Sequence, residues 1–277
     1  MTDEAARAFV PGHITGFFTI YEGEDPTKTG SRGAGLTLTD GVTVSVRRSD
    51  EPAVYLNDTN IEMEPVERVL DALGVPMIVA GETNLPVGAG FGVSGAMSLG
   101  TALAVAELRD LELSENELIT IAHGAEVQSG TGLGDVVAQA RGGMPIRLEP
   151  GAPEHNYLDG LPARPRIEYY SVGERSTESV LATDTSQLTD AGRTALSRLV
   201  ADPTLETFME VSRSFSRETD LLTDELTEIV QDVSEAGGSA SMAMLGETVF
   251  ALNDGLSEAG YDASTCEIDP TGATLLC

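Results

Sequence analysis

A glycine-rich turn between an apolar strand and an apolar helix is the feature that most constrains this fold. Residues 76–82 predict a strand, residues 86–92 carry glycine at alternate positions, and an apolar helix is predicted from about Ser94 to Arg109. Such a turn presents backbone N–H groups at the positive end of a helix dipole. The sequence therefore predicts an anion site here, and the anion at such turns is most often phosphate.

Two common phosphate-binding loops fit this turn poorly. The loop of many nucleotide hydrolases places lysine directly after its glycines, but Lys28 is the only lysine and no glycine loop precedes it. Gly90 to Gly95 spell a dinucleotide fingerprint, which requires a second strand with an acid at its tip. About 20 residues on, Glu107 and Asp110 end a predicted helix and a second helix follows. The context therefore opposes a dinucleotide, although an oxidoreductase stays a rival interpretation.

Two acidic residues further along the chain suit phosphoryl transfer. This chemistry needs a metal held against the phosphates and a carboxylate near the acceptor hydroxyl. Glu126 lies on the second predicted helix, and Asp135 follows a glycine-rich turn nine residues later. The neighbours of Glu126 are largely apolar, unlike those of an ordinary surface acid: Ala122, Ala125 and Val127.

The remaining pattern predicts an α+β fold whose sheet is covered by helices on one face. An early strand region is broken at Pro11-Gly12, and residues 35–48 predict a β-hairpin around Asp40-Gly41. The Pro- and Gly-rich residues 149–165 suggest a connection between two domains, which we place at 1–155 and 156–277. Further elements are expected as follows: a helix over 62–73, a helix capped by Ser114 and Glu117, helices within 186–235, a hairpin over 239–252, and strand ends near 266–269 and 273–276.

The charge of the chain restricts its partners and its setting. Asp and Glu number 45 against 16 Lys and Arg, which gives a net charge of −29. The acids are spread along the chain, as in proteins of salt-accumulating cells, and no basic patch is available for nucleic acid. Cys266 and Cys277 lack any metal-binding pattern. With no membrane-spanning segment and no signal peptide recognised, we expect a cytoplasmic protein.

The glycine loop resembles the phosphate loop of the GHMP kinase superfamily, PxGxGxGxS. This resemblance implies a two-domain fold with a ribosomal protein S5-like N-terminal domain and a ferredoxin-like C-terminal domain. It also implies that ATP and Mg²⁺ are used, that Ser94 and Glu126 hold the metal, and that Asp135 faces the acceptor hydroxyl. The nucleotide would contact the loop, where these residues lie: Pro86, Gly88, Ala89, Gly90, Phe91, Gly92 and Ser94.

Several segments further resemble one branch of that superfamily, the archaeal pantoate kinases: residues 11–18, 30–35, 122–126, 130–135 and 142–148. The resemblance implies (R)-pantoate as acceptor, with Ser31, His123 and Arg147 in its site, and a homodimer. Arg32 is a further candidate for the acceptor carboxylate. Structural alternatives stay open for each of them: an ion pair for Arg147, a core position for His123, and neutralisation of the acidic surface for Arg32. His13 is as well explained by a structural role as by substrate binding.

Three rival functions remain at this point. A kinase of the same superfamily could act on another alcohol, such as mevalonate, homoserine or shikimate. The others are the dinucleotide-binding oxidoreductase and a sensor that binds ATP without turnover. The third superfamily motif is normally rich in glycine, whereas residues 239–252 contain a single glycine, Gly246. Whether this segment contacts ATP is therefore open.

Overall fold

A computed structural model describes residues 5–173 and 185–277. Its first part begins with four strands, which are followed by a helix, a strand, three consecutive helices and a further strand. In chain order these elements are β1 (Ala5–Tyr21), β2 (Gly30–Arg48), β3 (Ala53–Leu56), β4 (Thr59–Ile61), α1 (Glu64–Leu73), β5 (Met77–Thr83), α2 (Val93–Arg109), α3 (Glu115–Ser129), α4 (Asp135–Arg141) and β6 (Met144–Glu149).

The second part begins with two strands that belong to different sheets, and helices, a hairpin and two short strands follow in its described residues. Its elements are β7 (Tyr157–Leu161), β8 (Arg166–Gly173), α5 (Ser186–Ala201), α6 (Leu205–Glu218), α7 (Asp224–Glu235), β9 (Ala240–Ala243), β10 (Glu247–Leu252), α8 (Gly255–Glu258), β11 (Ser264–Glu267) and β12 (Thr274–Leu276). The mixture of helices and antiparallel strands confirms the predicted α+β class.

The described strands form two sheets. The larger has the order β12-β1-β2-β5-β3-β4, with β6 paired to β2 and β7 paired to β6; the smaller has the order β11-β8-β10-β9. The predicted connection over 149–165 was wrong in part, because β7 lies within it. Both β7 and β12 follow residue 155 yet belong to the larger sheet. The domain division at 155 stays a prediction.

The predicted hairpin around Asp40-Gly41 is wrong, because β1 and β2 are long strands that pair along their whole length. Their register shifts at Pro11/Gly12, where Pro11 faces Gly41 and Gly12 faces Leu38. A Cβ on Gly41 would lie 2.3 Å from the carbonyl oxygen of Val10. The Asp-Gly pair therefore serves a β-bulge, which favours the same residues as a tight turn.

Helix α2 is the central helix of the first part, and its burial explains its uniformly apolar sequence. It packs against β1, β2, α1 and α3. Glycine allows close approach, since a Cβ on Gly100 would lie 2.5 Å from a methyl group of Val44. The ring of Phe215 on α6 lies 5.7 Å from that of Phe18 on β1, which joins the cores of the two parts.

Two helix ends match the predicted capping signals. Helix α1 is followed by Gly74 in the left-handed conformation, and α3 begins with a capping box formed by Ser114 and Glu117. Within residues 5–173 and 185–277, none of the helices combines the length and apolar character needed to cross a bilayer.

Candidate active site

The loop before α2 adopts the conformation that its glycines predict. Gly88, Gly90 and Gly92 have φ values of 74°, 90° and 64°, a region that strains other residues. Gly92 is also the N-cap of α2. The alternating glycines thus bend the chain from β5 into the helix and bring the loop backbone to the N-terminus of α2.

The turn between β9 and β10 presses on the other side of this loop. A Cβ on Gly246 would lie 2.0 Å from the carbonyl oxygen of Ala89. That same carbonyl oxygen accepts a hydrogen bond of 2.8 Å from Thr248 Oγ1. Gly246 is therefore required by a close approach, and the glycine-poor segment 239–252 supports the loop from the second part of the chain.

A cavity of about 310 Å³ lies beside the loop, and we call it the phosphate cavity. Loop residues, Ser129–Thr131, Asp135 and the β9–β10 turn border it, together with Thr15 and Met63. The predicted loop residues that reach it are Gly88, Gly90, Phe91, Gly92 and Ser94. Two other predicted loop residues, Pro86 and Ala89, do not line this cavity. The carbonyl group of Ala89 points toward β10 instead, where it accepts the hydrogen bond from Thr248.

Glu126 is buried next to two residues that line this cavity, Ser94 and Thr131, and it is held by three hydroxyl groups. Ser94 and Ser98 donate hydrogen bonds of 2.7 and 2.8 Å to its Oε1, and Thr131 donates one of 2.9 Å to Oε2. Burial raises the pKa of Glu126 to about 6, although the three hydrogen bonds oppose the shift. The carboxyl group therefore changes its charge close to neutral pH.

The donor set around Glu126 fits Mg²⁺, since carboxylate and hydroxyl oxygens are the hard ligands that this ion prefers. Within the described ranges, no group of three or more His, Cys, Asp or Glu side chains could hold a metal. Magnesium usually takes one or two protein carboxylates and completes its shell with phosphates and water. Ser94 and Glu126 match this sparse arrangement.

Asp135 is the first residue of α4, and its side chain contacts His13 on β1. The Nδ1 atom of His13 lies 2.7 Å from Asp135 Oδ1. Burial pushes the pKa of Asp135 upward, but the hydrogen bond from His13, the positive charge of Arg147 and a hydrogen bond from the backbone act in the other direction, and that pKa lies below its usual value. Asp135 is therefore held as a carboxylate.

A second, much smaller cavity of about 20 Å³ adjoins Asp135, and we call it the acceptor cavity. It is lined by Thr15, Phe18, Ser31, Leu133, Gly134, Asp135, Arg147 and Leu245. Thr15, Asp135 and Leu245 border both cavities. Its volume is about that of one water molecule.

Arg147 is the largest side chain buried here, with 2% of its surface exposed. Its Nε and Nη1 atoms have no hydrogen-bond partner among the residues that the structure describes. A Cβ on Gly134 would lie 2.8 Å from Arg147 Nε and 2.5 Å from Ser31 Oγ. A side chain at position 134 would therefore collide with a buried cation and a hydroxyl group, which explains why glycine is found there.

Two predicted acceptor residues do not reach this cavity. Arg32 forms an ion pair with Glu149 and lies 4.9 Å from the ring centre of Tyr21. Adjacent residues of a strand point to opposite faces, so Ser31 points inward and Arg32 outward. His123 is buried, and its Nε2 lies 2.9 Å from the carbonyl oxygen of Thr29. The structure therefore brings Ser31 and Arg147 together but neither Arg32 nor His123.

Sequence reasoning left the role of one residue near the site undecided and missed three others. His13 was left between two roles, and Ser98 follows Ser94 by one helical turn, a spacing that could have revealed it. Thr131 lay within the glycine-rich turn before Asp135. Gln139 gave no signal, although it is buried and its Nε2 donates a 2.9 Å hydrogen bond to the carbonyl oxygen of Gly92.

Comparisons with known proteins agree with this arrangement. Residues 62–143 match the family model of the GHMP kinases N terminal domain. The chain is 34% identical to the pantoate kinase of Methanocaldococcus jannaschii, over 88% of this chain and 92% of that protein. It is 36% identical to the pantoate kinase of Thermococcus kodakarensis, over 89% and 87%. A solved structure described as a phosphotransferase related to the CoA biosynthesis pathway superposes with a TM-score of 0.89, at 30% identity and 99% coverage of both chains.

Proposed function

Because the chain belongs to the pantoate kinase family of the GHMP kinases, we propose that it transfers the γ-phosphoryl group of ATP to the 4-hydroxyl of (R)-pantoate. It is an ATP-dependent phosphotransferase, as its relatives are. The proposed product, 4-phosphopantoate, would serve coenzyme A biosynthesis. The proposal is supported by a glycine-rich loop at a helix N-terminus that lies beside a buried arginine and a serine hydroxyl group.

The buried guanidinium of Arg147 carries this proposal. A buried cation with unpartnered N–H groups costs free energy unless an anion meets it. Pantoate brings a carboxylate, and Ser31 beside Arg147 can donate a further hydrogen bond to it. Mevalonate, homoserine and shikimate also carry a carboxylate, so Arg147 alone does not select pantoate, and contacts with the rest of the molecule must separate these alcohols.

The mechanism follows from the residues that border the two cavities. The loop backbone from Gly88 to Ser94 would cradle the β- and γ-phosphates at the N-terminus of α2. Asp135, which borders both cavities, would orient the acceptor hydroxyl and accept its proton late in a loose transition state. Arg147 and Ser31 would fix the carboxylate end of pantoate. In-line transfer needs this alignment more than it needs a strong base.

Magnesium would be held by Ser94 and Glu126 together with the phosphates of ATP. When bound, it would neutralise the charge that develops on the transferred phosphoryl group. The three hydroxyl groups around Glu126 keep its two oxygens in place for this role. Ser98 and Thr131 act through Glu126, since their hydrogen bonds end on its carboxyl oxygens.

The rival functions are weakened by the same geometry. A dinucleotide site requires a strand after α2, and the structure has helix α3 there. A sensor without turnover has no need for Asp135 at the boundary of the acceptor cavity. The remaining alternative is a GHMP kinase for mevalonate, homoserine or shikimate.

An acceptor panel tests the proposal. We expect ADP release in molar KCl with Mg²⁺ when pantoate is offered, and none above background with mevalonate, homoserine or shikimate. Molar salt is included because the net charge of −29 implies strong self-repulsion without screening. Release with another alcohol, and none with pantoate, would contradict the proposed acceptor while leaving phosphoryl transfer intact.

Substitution of Arg147 sharpens the same experiment. We expect Arg147→Met to raise the KM for pantoate by about 10- to 100-fold, the usual worth of hydrogen bonds to a charged group, with the KM for ATP unchanged. Arg193→Met is the matched control, because Arg193 is exposed and pairs only weakly with Asp190. Equal behaviour of the two variants would contradict the assignment of Arg147.

A further inference from the structure

His13 connects the two catalytic regions of the molecule. Its backbone N–H donates a 2.9 Å hydrogen bond to the carbonyl oxygen of Phe91 in the phosphate loop. Its side chain reaches the opposite way, to Asp135 Oδ1. The residue has no exposed surface. A single position of β1 thus contacts both the loop that would hold ATP and the carboxylate that would face the acceptor.

The surroundings of the imidazole ring identify which nitrogen carries the proton. Nε2 is buried and has no hydrogen-bond partner among the described residues. Strand β2 closes on it so tightly that a Cβ on Gly35 would lie 2.4 Å from Nε2. A proton on Nε2 would be a buried, unsatisfied donor, which is costly. The proton therefore belongs on Nδ1, where Asp135 accepts it.

The charged neighbours favour a neutral ring. Among the residues that the structure describes, Asp135 is the carboxylate in contact with His13, and its charge favours the imidazolium. Burial and the positive charge of Arg147 act in the opposite direction and lower the pKa of His13. Thr15 Oγ1 lies 3.5 Å from Nδ1 and adds no charge. Arg147, not His13, then supplies the positive charge that balances Asp135.

We propose that His13 is a positioning residue that donates a neutral hydrogen bond from Nδ1 to Asp135 Oδ1 and thereby leaves Oδ2 for the acceptor hydroxyl. This inference rests on the proposed kinase function. It assigns to the Pro-Gly-His element of β1 a role in aligning Asp135, and it requires the Nδ1 position specifically, because the ring contributes nothing through Nε2.

Two amide substitutions separate the two nitrogen positions. The amide nitrogen of asparagine falls near the place of Nδ1, whereas that of glutamine falls near the place of Nε2. We expect His13→Asn to retain kcat for pantoate within about ten-fold, and His13→Gln and His13→Leu to lose about 10²-fold, the usual cost of a misplaced catalytic group. The KM for ATP should stay the same in all three variants.

The other buried histidine supplies a control for this mimicry. His123 uses Nε2 toward the carbonyl oxygen of Thr29, so at that position glutamine should preserve the melting temperature better than asparagine. If asparagine is the better replacement at His13 and glutamine the better one at His123, the position of the amide nitrogen decides the outcome. Side-chain size alone would give the same ranking at both positions. If His13→Gln or His13→Leu matched His13→Asn in kcat, the ring would merely fill space and the inference would be overturned.

The wild-type protein offers a second measurement that does not depend on the folding of variants. The ¹⁵N shifts of the ring nitrogens distinguish a bare nitrogen from a protonated one, and only three histidines need assignment. We expect His13 to carry its proton on Nδ1 alone at pH 7.5. Protonation of Nε2, or of both nitrogens, would overturn the inference. Absence of pantoate turnover in the wild type would instead contradict the proposed function.

Discussion

The phosphate cavity and the acceptor cavity adjoin each other but are built in different ways. The first encloses about 310 Å³, and seven of the fifteen residues that border it belong to one continuous segment, residues 87–94. The second encloses about 20 Å³ and is bordered by side chains from β1, β2, β6, the turn before α4 and the β9–β10 turn. The general part of the reaction, binding phosphates, is thus carried by one local segment. The specific part, choosing the acceptor, is carried by distant side chains that meet only after folding.

Asp135 belongs to both cavities, and its removal tests whether they act together. We expect Asp135→Asn to lower kcat by about 10²- to 10⁴-fold, because the amide cannot accept the acceptor proton. The affinity for ATP, measured by calorimetry, should change little, since the loop backbone is untouched. Near-normal turnover of this variant would break the assignment of Asp135 to the acceptor hydroxyl.

Two glycine substitutions should separate the cavities. A methyl group at Gly134 would collide with the side chains of Ser31 and Arg147, whereas one at Gly246 would displace Ala89 in the phosphate loop. We expect Gly134→Ala to raise the KM for pantoate and Gly246→Ala the KM for ATP, each by about 10²-fold. Gly124→Ala is the matched control, because no atom lies within 4 Å of its added Cβ.

Two outcomes of this pair of substitutions would change the assignment of the two cavities. A variant that raises both KM values equally would show that the cavities form one coupled site. The melting temperature of each variant must be measured alongside, since a displaced loop also loses packing. If Gly134→Ala left the KM for pantoate unchanged, the small cavity would not be the acceptor site.

The pH dependence of the reaction rate should report on the phosphate cavity. Because the pKa of Glu126 is raised to about 6, its carboxylate gains a proton as the pH falls through that value and loses its hold on a cation. Asp135 has a lowered pKa and stays charged there. We expect kcat/KM for MgATP to fall roughly ten-fold per pH unit on the acidic side of this value.

Magnesium concentration then tests the source of that acidic limb. Metal and proton compete for the same carboxylate, so more Mg²⁺ should move the limb to lower pH. The measurement is a set of pH–rate profiles at several fixed Mg²⁺ concentrations. If the pH at which kcat/KM falls did not change with Mg²⁺ concentration, the group that titrates would not be Glu126.

The smallest expected effect comes from Ser98, which touches Glu126 alone within the site. Loss of its hydroxyl removes one of three hydrogen bonds to that carboxyl group. We expect Ser98→Ala to weaken MgATP binding by roughly five-fold, the worth of one hydrogen bond, with no change in the KM for pantoate. Ser94→Ala should cost more, because Ser94 borders the phosphate cavity itself.

The contrast between the cavities also explains what the sequence could and could not predict. Sequence reasoning could identify the loop, the helix that follows it, Glu126 and Asp135, because alternating glycines and helix signals are local patterns. The contact between His13 and Asp135 joins residues 122 positions apart, and no local pattern encodes such pairing. The Asp40-Gly41 hairpin was wrong for a related reason: its signal is local, whereas the bulge is set by the facing strand.

The pairing of β12 with β1 has a consequence for how the molecule is made. Arg7 pairs with Leu276, so one edge of the larger sheet joins residues from opposite parts of the sequence. Contacts of such long sequence separation form late and slowly. During synthesis on the ribosome, β1 must therefore wait with one edge open until residues 274–276 emerge. An unpaired strand edge can pair with the strand edge of another chain. We therefore expect unfinished copies of this protein to associate more readily than the complete fold, unless a chaperone covers that edge.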